Sequence, residues 1–396
     1  MLNRLIIVGN GFDLAHGLKT KYSDYIENYW EKCKYIDNFI RLNSTPHPEN
    51  LKCLNDLIKY LKESGYNNLE KFGSFYKYET ENILEIKNDF FHWINKINSD
   101  VNWVDIEMEY YKYLKKLLTK KLKISESREI DILLNEEMHY EQDQLKAVTK
   151  LNSEITEFSN DFEEYLKNNV MPLIQKVKND YMEEIFSDTL GNGRQEFYKE
   201  FPTKDINYII PTSREETVGN KKFGKTLILN FNYTSTPALY RHEHDCEIIN
   251  IHGQIGDIDN PINIGFGDEN DKYYTMIEGA NQNEYLRFMK SFVYSNNNNY
   301  KNLFDFIDTS SFQTYIMGHS CGLSDRTLLN AIFEHNNCKS IKVFYHKWKE
   351  SGVDHDNYLE IVKNVSRHFN KKTMMREKIV NKTFCMELPQ KKISEE

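Results

Sequence analysis

The sequence predicts an α/β fold, a mostly parallel sheet of the doubly wound kind that carries a large inserted α-helical domain. Three observations lead there. The chain opens on a short apolar run that ends in a glycine turn. Four similar runs recur after residue 225, with helix-like stretches between them. The long segment separating the first run from the others is charged, aromatic and poor in glycine and proline, as helices are.

Leu5-Ile6-Ile7-Val8 is continuous and mostly β-branched, a pattern suited to a strand buried on both faces of a parallel sheet. Thr226-Leu227-Ile228-Leu229, Glu247-Ile248-Ile249-Asn250-Ile251, Thr314-Tyr315-Ile316-Met317 and Ile341-Lys342-Val343-Phe344 repeat it. Residues 326–335 and 358–369 read as helices, and strands alternating with helices imply parallel pairing. In the middle, Leu151, Ile155, Phe158, Phe162, Tyr165 and Leu166 follow steps of three and four. That is one apolar face of a long helix, which Pro172 kinks or ends. The resulting division is 1–20 and 205–390 for the sheet domain and 21–204 for the helical insert. Ile209-Ile210-Pro211 is read as the return of the chain to the sheet.

The 396 residues carry a formal net charge of -9, which argues against nucleic acid as a partner, because phosphate neutralisation needs clustered Lys and Arg. Lys115-Lys116 and Lys120-Lys121 lie among acidic residues and read as a solvated helix face. The six cysteines form no C-x-x-C pair, so neither a four-cysteine zinc site nor any other metal is expected. The first apolar run is too short for a signal-peptide core. No run approaches the roughly 20 residues of a membrane span. A cytoplasmic protein without a membrane partner is the expectation.

Five polar blocks stand out. Gly9-Asn10-Gly11-Phe12-Asp13 is a turn in which glycine permits close approach of a phosphate, and a helix start beyond it would offer free N–H groups. The dinucleotide fingerprint asks for a third glycine where Leu14 stands. A plain βα turn fits the same residues, with Asp13 as a helix cap or a ribose contact. Asn232, in Leu229-Asn230-Phe231-Asn232-Tyr233-Thr234, can orient a ribose hydroxyl or a water, or close a turn. His252 ends the next run and suits a general base near neutral pH. Gly265-Phe266-Gly267-Asp268-Glu269 reads as a loop closing over a site or as a plain turn. Finally, Gly318-His319-Ser320-Cys321-Gly322-Leu323-Ser324-Asp325 combines an anion-cradling backbone with a cap at Ser324 or Asp325. Its G-x-S-x-G spacing also matches a hydrolase nucleophile elbow centred on Ser320.

Taken in order, these blocks resemble the AbiH family of bacterial phage-resistance (abortive infection) proteins. The resemblance rests on Ile7-Val8-Gly9-Asn10-Gly11-Phe12-Asp13-Leu14-Ala15-His16-Gly17-Leu18, on Trp103-Val104-Asp105-Ile106-Glu107, and on the Asn232, His252, Gly265 and Gly318 blocks. It implies a defence role, with a phage or host protein as trigger and a homo-oligomer as the assembly. A more distant similarity is to the Rossmann-like, sirtuin-like NAD-binding fold. It implies NAD as the bound nucleotide and substrate. Asn232 and His252 would be the catalytic pair. Gly9, Asn10, Gly11, Phe12, Asp13, Gly318, His319, Ser320 and Asp325 would bind the nucleotide. Thr234 stands where a sirtuin usually has Asp, and the paired-cysteine zinc module is missing, so protein deacylation is not implied. Sirtuin-like domains of bacterial defence systems share that lack and typically break down NAD. The expected activity is therefore hydrolysis of the nicotinamide–ribose bond. The alternatives are a nucleotide sensor without turnover and a serine hydrolase using Ser320.

Overall fold

The computed structural model describes residues 2–32, 39–43, 51–72, 74–101, 105–125, 133–186, 197–209, 224–241 and 246–391. In chain order its strands are β1 (Asn3–Val8), β2 (Ile40–Leu42), β3 (Glu70–Phe72), β4 (Phe75–Tyr78), β5 (Glu81–Ile86), β6 (Thr226–Asn230), β7 (Cys246–Asn250), β8 (Phe312–Met317), β9 (Cys338–Tyr345), β10 (Lys347–Glu350), β11 (Val353–Asp356) and β12 (Met386–Glu387). Six of them make one sheet in the order β12-β9-β8-β1-β6-β7. Every neighbouring pair in it is parallel.

The apolar runs explain this sheet. Along β1, Leu5 and Ile7 join one core with Leu227, Leu229, Ile316 and Val343, while Ile6 and Val8 join the opposite core with Ile228, Tyr315 and Met317. Side chains alternate between faces in a strand, so a continuous apolar run feeds both cores. Helices Asn299–Thr309, Arg326–Phe333 and Tyr358–Arg367 bury their apolar residues in the first core. The short helix Asn10–Ala15 and the helix Asp180–Phe186 cover the other. Arg4, 1 % exposed, donates to the carbonyls of Ile185 and Phe186 at 2.9 and 2.8 Å and so ties that helix to β1.

The order of strands creates a switch point. The chain passes from β1 outward through β6 and β7, then returns to β1's other side as β8 and continues to β9. Connections leaving β1 and β8 diverge there, and a crevice opens at the carboxyl edge between them, the usual place for a ligand in an open α/β sheet.

The expected α-helical insert also contains a sheet. Between residues 40 and 86 the chain forms a four-stranded antiparallel sheet in the order β2-β5-β4-β3. Its central hairpin turns at Glu79, which takes the left-handed conformation at φ 55° without being glycine or asparagine. The turn therefore lacks the usual sequence marker. The rest is helical, and the long helix runs Leu133–Tyr165, with Leu151, Ile155, Phe158 and Phe162 buried. It gives way at Leu166–Val170 to a π turn and then to a 3-10 turn, Met171–Lys176, that has Pro172 near its start. Its core is shared with Ile264, Phe266, Tyr285 and Met289 from the later half of the chain. Residue 209 closes the helix Thr203–Ile209, whereas Ile210 and Pro211 lie outside the described residues.

Candidate functional site

The crevice is a cleft of about 630 Å³, within the range of roughly 300–1,000 Å³ usual for small-molecule sites. Its walls come from the carboxyl ends of β1, β6, β7, β8 and β9 and from the helical layer. Gly9, Asn10, Gly11, Asp13, Asn232, His252, Gly318, His319, Ser320 and Asp325 all line it. Phe12 does not: its ring is fully buried against His16, Phe186 and Tyr240. His16 sits in the same core, with Nδ1 2.7 Å from the Phe12 carbonyl and Nε2 2.6 Å from the Tyr240 hydroxyl.

The glycine turn works by closeness. A Cβ on Gly9 would lie 2.6 Å from the His319 Cα, and one on Gly318, at φ +72°, would lie 2.1 Å from the Phe12 nitrogen. Two loops can thus touch backbone to backbone beneath the cleft. That contact consumes the donors that an anion would use. The N–H groups of Gly9, Gly11 and Phe12 donate to the carbonyls of Met317, Gly318 and Gly9 at 3.2, 2.8 and 2.8 Å. The expected row of free N–H groups is therefore largely committed inside the protein. Asp13 is inside the helix rather than at its cap, and its Oδ2 accepts from the Thr234 hydroxyl at 2.6 Å. Its Oδ1 is buried without a hydrogen-bond partner. Burial pushes this carboxyl up to about 6, against the lowering effect of Thr234, Thr236 and Asn232.

Asn232 donates from Nδ2 to the Gly9 carbonyl at 3.1 Å, and its own N–H donates to Asn230 Oδ1 at 3.1 Å. The side chain is thereby oriented at the floor of the cleft. His252, 4 % exposed, has Nε2 3.0 Å from Asp325 Oδ1. The two side chains are in contact there at ion-pair distance. Burial first, then the charge of Lys290, hold His252 down at about 4 against the pull of Asp325. His319 accepts the Cys321 N–H at Nδ1 (2.9 Å), which puts its proton on Nε2, 3.5 Å from Asp325 Oδ2. Phe231 stands edge-on to both rings, with centroids 4.9 Å from His252 and 4.3 Å from His319.

Asp325 is the hub of this wall. Burial alone would raise its carboxyl, but Lys290 and then His252 hold it well below the ordinary range. Lys290, fully buried, donates to Asp325 Oδ1 at 2.6 Å and to Glu107 Oε2 at 2.8 Å. Burial raises Glu107, with Lys290 opposing it. Glu107 and Asp105 both line the cleft from the helical layer, and Asp105 caps its helix by accepting the Met108 N–H at 2.9 Å. Trp103 and Val104 lie outside the described residues. Lys290 is the residue that sequence reasoning missed. The signal was a lone cation in the aromatic stretch Phe288-Met289-Lys290-Ser291-Phe292. Lys21, also unforeseen, and His346 line the cleft toward its β9 end.

Two other expectations resolve into structure. Phe266 stacks on Tyr111 at 3.8 Å and Asp268, 3 % exposed, pairs with Arg326 at 3.3 Å. The Gly265 block is thus packed into the core and does not line the cleft. Ser320 is exposed, its carbonyl accepts from Asn364, and no hydrogen bond joins its hydroxyl to a histidine among the described residues. The left-handed residues of that loop are Gly318 and Cys321, at φ 72° and 53°, so Ser320 is not the strained residue that a nucleophile elbow requires.

A family model described as "Bacteriophage abortive infection AbiH" matches residues 5–347, most of the chain. The chain belongs to the AbiH family. The match runs from within β1 to the start of β10 and so takes in the cleft residues that follow β1, β6, β7 and β8. No curated protein matches the chain. Membership in AbiH points to abortive infection, a defence against bacteriophage. No helix among the described residues is long and apolar enough to cross a membrane, and none of their side chains gather into a group of three or more metal-ligating types.

Proposed function

We propose that this AbiH protein acts in phage defence by hydrolysing the nicotinamide–ribose bond of NAD+. The observation that carries the reading is the convergence of Asn232 and His252, from adjacent strand ends, on one cleft with Asp325 behind. The nicotinamide–ribose bond cleaves through an oxocarbenium-like centre, as glycosidic bonds do. Ribose C1′ parts from the ring nitrogen, and the electron pair leaves with neutral nicotinamide. Water oxygen bonds to C1′ and gives up a proton, so the products are ADP-ribose, nicotinamide and H+. His252 takes that proton. Its ring, held at about 4, is neutral at physiological pH, and with Nε2 turned to Asp325 the accepting nitrogen is Nδ1. Asn232 Oδ1 orients the water or a ribose hydroxyl. Thr234 gives its hydroxyl to Asp13, so a carboxylate stands at this part of the cleft even without an Asp at 234. Toward the other end Lys21 and Asn10 supply a cation and an amide for the pyrophosphate, where Gly9, Gly11 and Gly318 keep the floor free of side chains. A phage or host protein would act as trigger.

The test is release of free nicotinamide from NAD+ by purified protein, alone and with phage lysate. Wild type releases it, and His252→Ala lowers the rate by about 10²–10⁴, the usual worth of a general base. Wild-type release no higher than that of the variant refutes the reading. A second reading, nucleotide binding without turnover, draws on the 4 % exposure of His252, which leaves little room for water at its ring. Calorimetry that finds tight binding of NAD+ or ADP-ribose without nicotinamide release favours this sensor role.

A further inference from the structure

We propose that Lys290 is a positioning residue for this chemistry: by occupying Asp325 Oδ1 it keeps Asp325 from drawing a proton onto His252, and so preserves His252 as a base. The inference rests on the hydrolase reading for its kinetic consequence, but not for its geometry. Two nitrogens compete for a single carboxylate oxygen. Lys290 Nζ lies 2.6 Å from Oδ1 and His252 Nε2 lies 3.0 Å from it. A buried carboxylate needs one positive partner. Were Lys290 absent, the nearest group able to become one would be His252, with His319 next at 3.5 Å. An aspartate that makes its histidine an imidazolium removes the base that the reaction requires.

Lys290 reaches this position through the packed Gly265 block. Its N–H donates to the Phe266 carbonyl at 2.9 Å, and Phe266 and Met289 form a parallel β-bridge. A Cβ on Gly267 would lie 3.2 Å from the Lys290 Cβ, so the absence of a side chain there makes room for the lysine stem. That gives Gly267 a role which its sequence neighbourhood left open. The ammonium is also bonded to Glu107 of the helical layer, so the layer helps fix the charge that sets His252.

The groups facing this network come from every element around it. Asp325 and His319 belong to the loop after β8, His252 follows β7, and Lys290 starts the helix Lys290–Val293. Glu107 and Asp105 come from the start of the helix Ile106–Ser125. Tyr22, Tyr233 and Tyr294 add phenols that burial raises and keeps neutral. Lys290 is therefore the cation shared by Asp325 and Glu107. Burial alone would lower it, but these two carboxylates hold it above its ordinary value.

The experiment is histidine NMR on the full chain, with the His252 resonance assigned by its absence in His252→Gln. In wild type His252 stays neutral from pH 6 to 8. In Lys290→Met it becomes an imidazolium at pH 7 and loses its proton only as pH rises. Lys290→Gln, which keeps a hydrogen-bond donor and loses the charge, behaves the same way and serves if the methionine variant does not fold. Nicotinamide release by either variant falls about tenfold or more at pH 7 and recovers toward alkaline pH. A neutral His252 in a folded charge-removed variant, or a protonated one in wild type, overturns the proposal. Because the NMR result needs no NAD+, it stands or falls separately from the hydrolase reading.

Discussion

Replacing Asp13 by asparagine should stabilise the protein at neutral pH and leave it nearly unchanged in acid. Asp13 is 1 % exposed, with one oxygen lacking a partner. Burial pushes the carboxyl from 3.8 up to about 6. A raised folded value means that the native state binds the proton more tightly than the unfolded chain. Asp13 therefore does not weaken the fold below about pH 3.8, and its destabilising effect develops as pH rises to and through about 6. At about 1.4 kcal/mol per pH unit of displacement, the full effect is about 3 kcal/mol, with little solvent screening at this depth. Near pH 4 the same displacement gives only about half a kcal/mol. Urea unfolding of wild type and Asp13→Asn at pH 4 and 7.5 measures both numbers. Asparagine keeps an acceptor for Thr234, so the hydrogen bond survives. Equal stability of the two proteins at pH 7.5, or a gain that does not vary with pH, would refute the reasoning. A buried carboxylate that weakens the fold at working pH fits a group kept for ligand contact. The stabilised variant should accordingly bind NAD+ more weakly in calorimetry.

Two further outcomes follow from the same site. Gly318→Ala places a Cβ 2.1 Å from the Phe12 nitrogen at φ +72°. The left-handed conformation alone costs about 1–2 kcal/mol and the backbone clash adds more, so the urea midpoint should drop by the equivalent of more than about 2 kcal/mol. An unchanged midpoint would mean that the two loops do not touch as described. In a pH–rate series on Asp13→Asn at saturating NAD+, which removes the titration of Asp13 near 6, nicotinamide release should hold level from pH 8 down to about 5 and fall through about 4 as His252 takes up its proton. A fall centred near 6.5 would indicate a solvated histidine and contradict its burial.

The helical insert separates what was legible from what was not. Its long amphipathic helix was readable because Leu151, Ile155, Phe158 and Phe162 keep a helical spacing. The four-stranded sheet at residues 40–86 was not, because its strands are short, doubled steps such as Glu70-Lys71, Phe75-Tyr76 and Ile83-Leu84 interrupt the alternation, and the Glu79 turn carries no glycine. Ion pairs and aromatic packing across strands decide such a sheet, and these depend on neighbours distant in sequence.

For the site, the sequence by itself determined that polar residues leave successive strands at one edge. Continuous apolar runs must be buried in a parallel sheet, and residues just past their ends then share that edge. Gly9, Asn232, His252 and Gly318 were nominated on that ground together with the resemblance to the AbiH and sirtuin-like families. Only the tertiary structure decided which groups touch. It turned Phe12 into the core, spent the turn's N–H groups on Met317, Gly318 and Gly9, and set Asp325 between two histidines. It also brought Lys290 and Glu107, 183 residues apart, together on a 2.8 Å contact. No local pattern marks such a pair, because a buried charge is held by whatever opposite charge folding carries to it, wherever that stands in the chain.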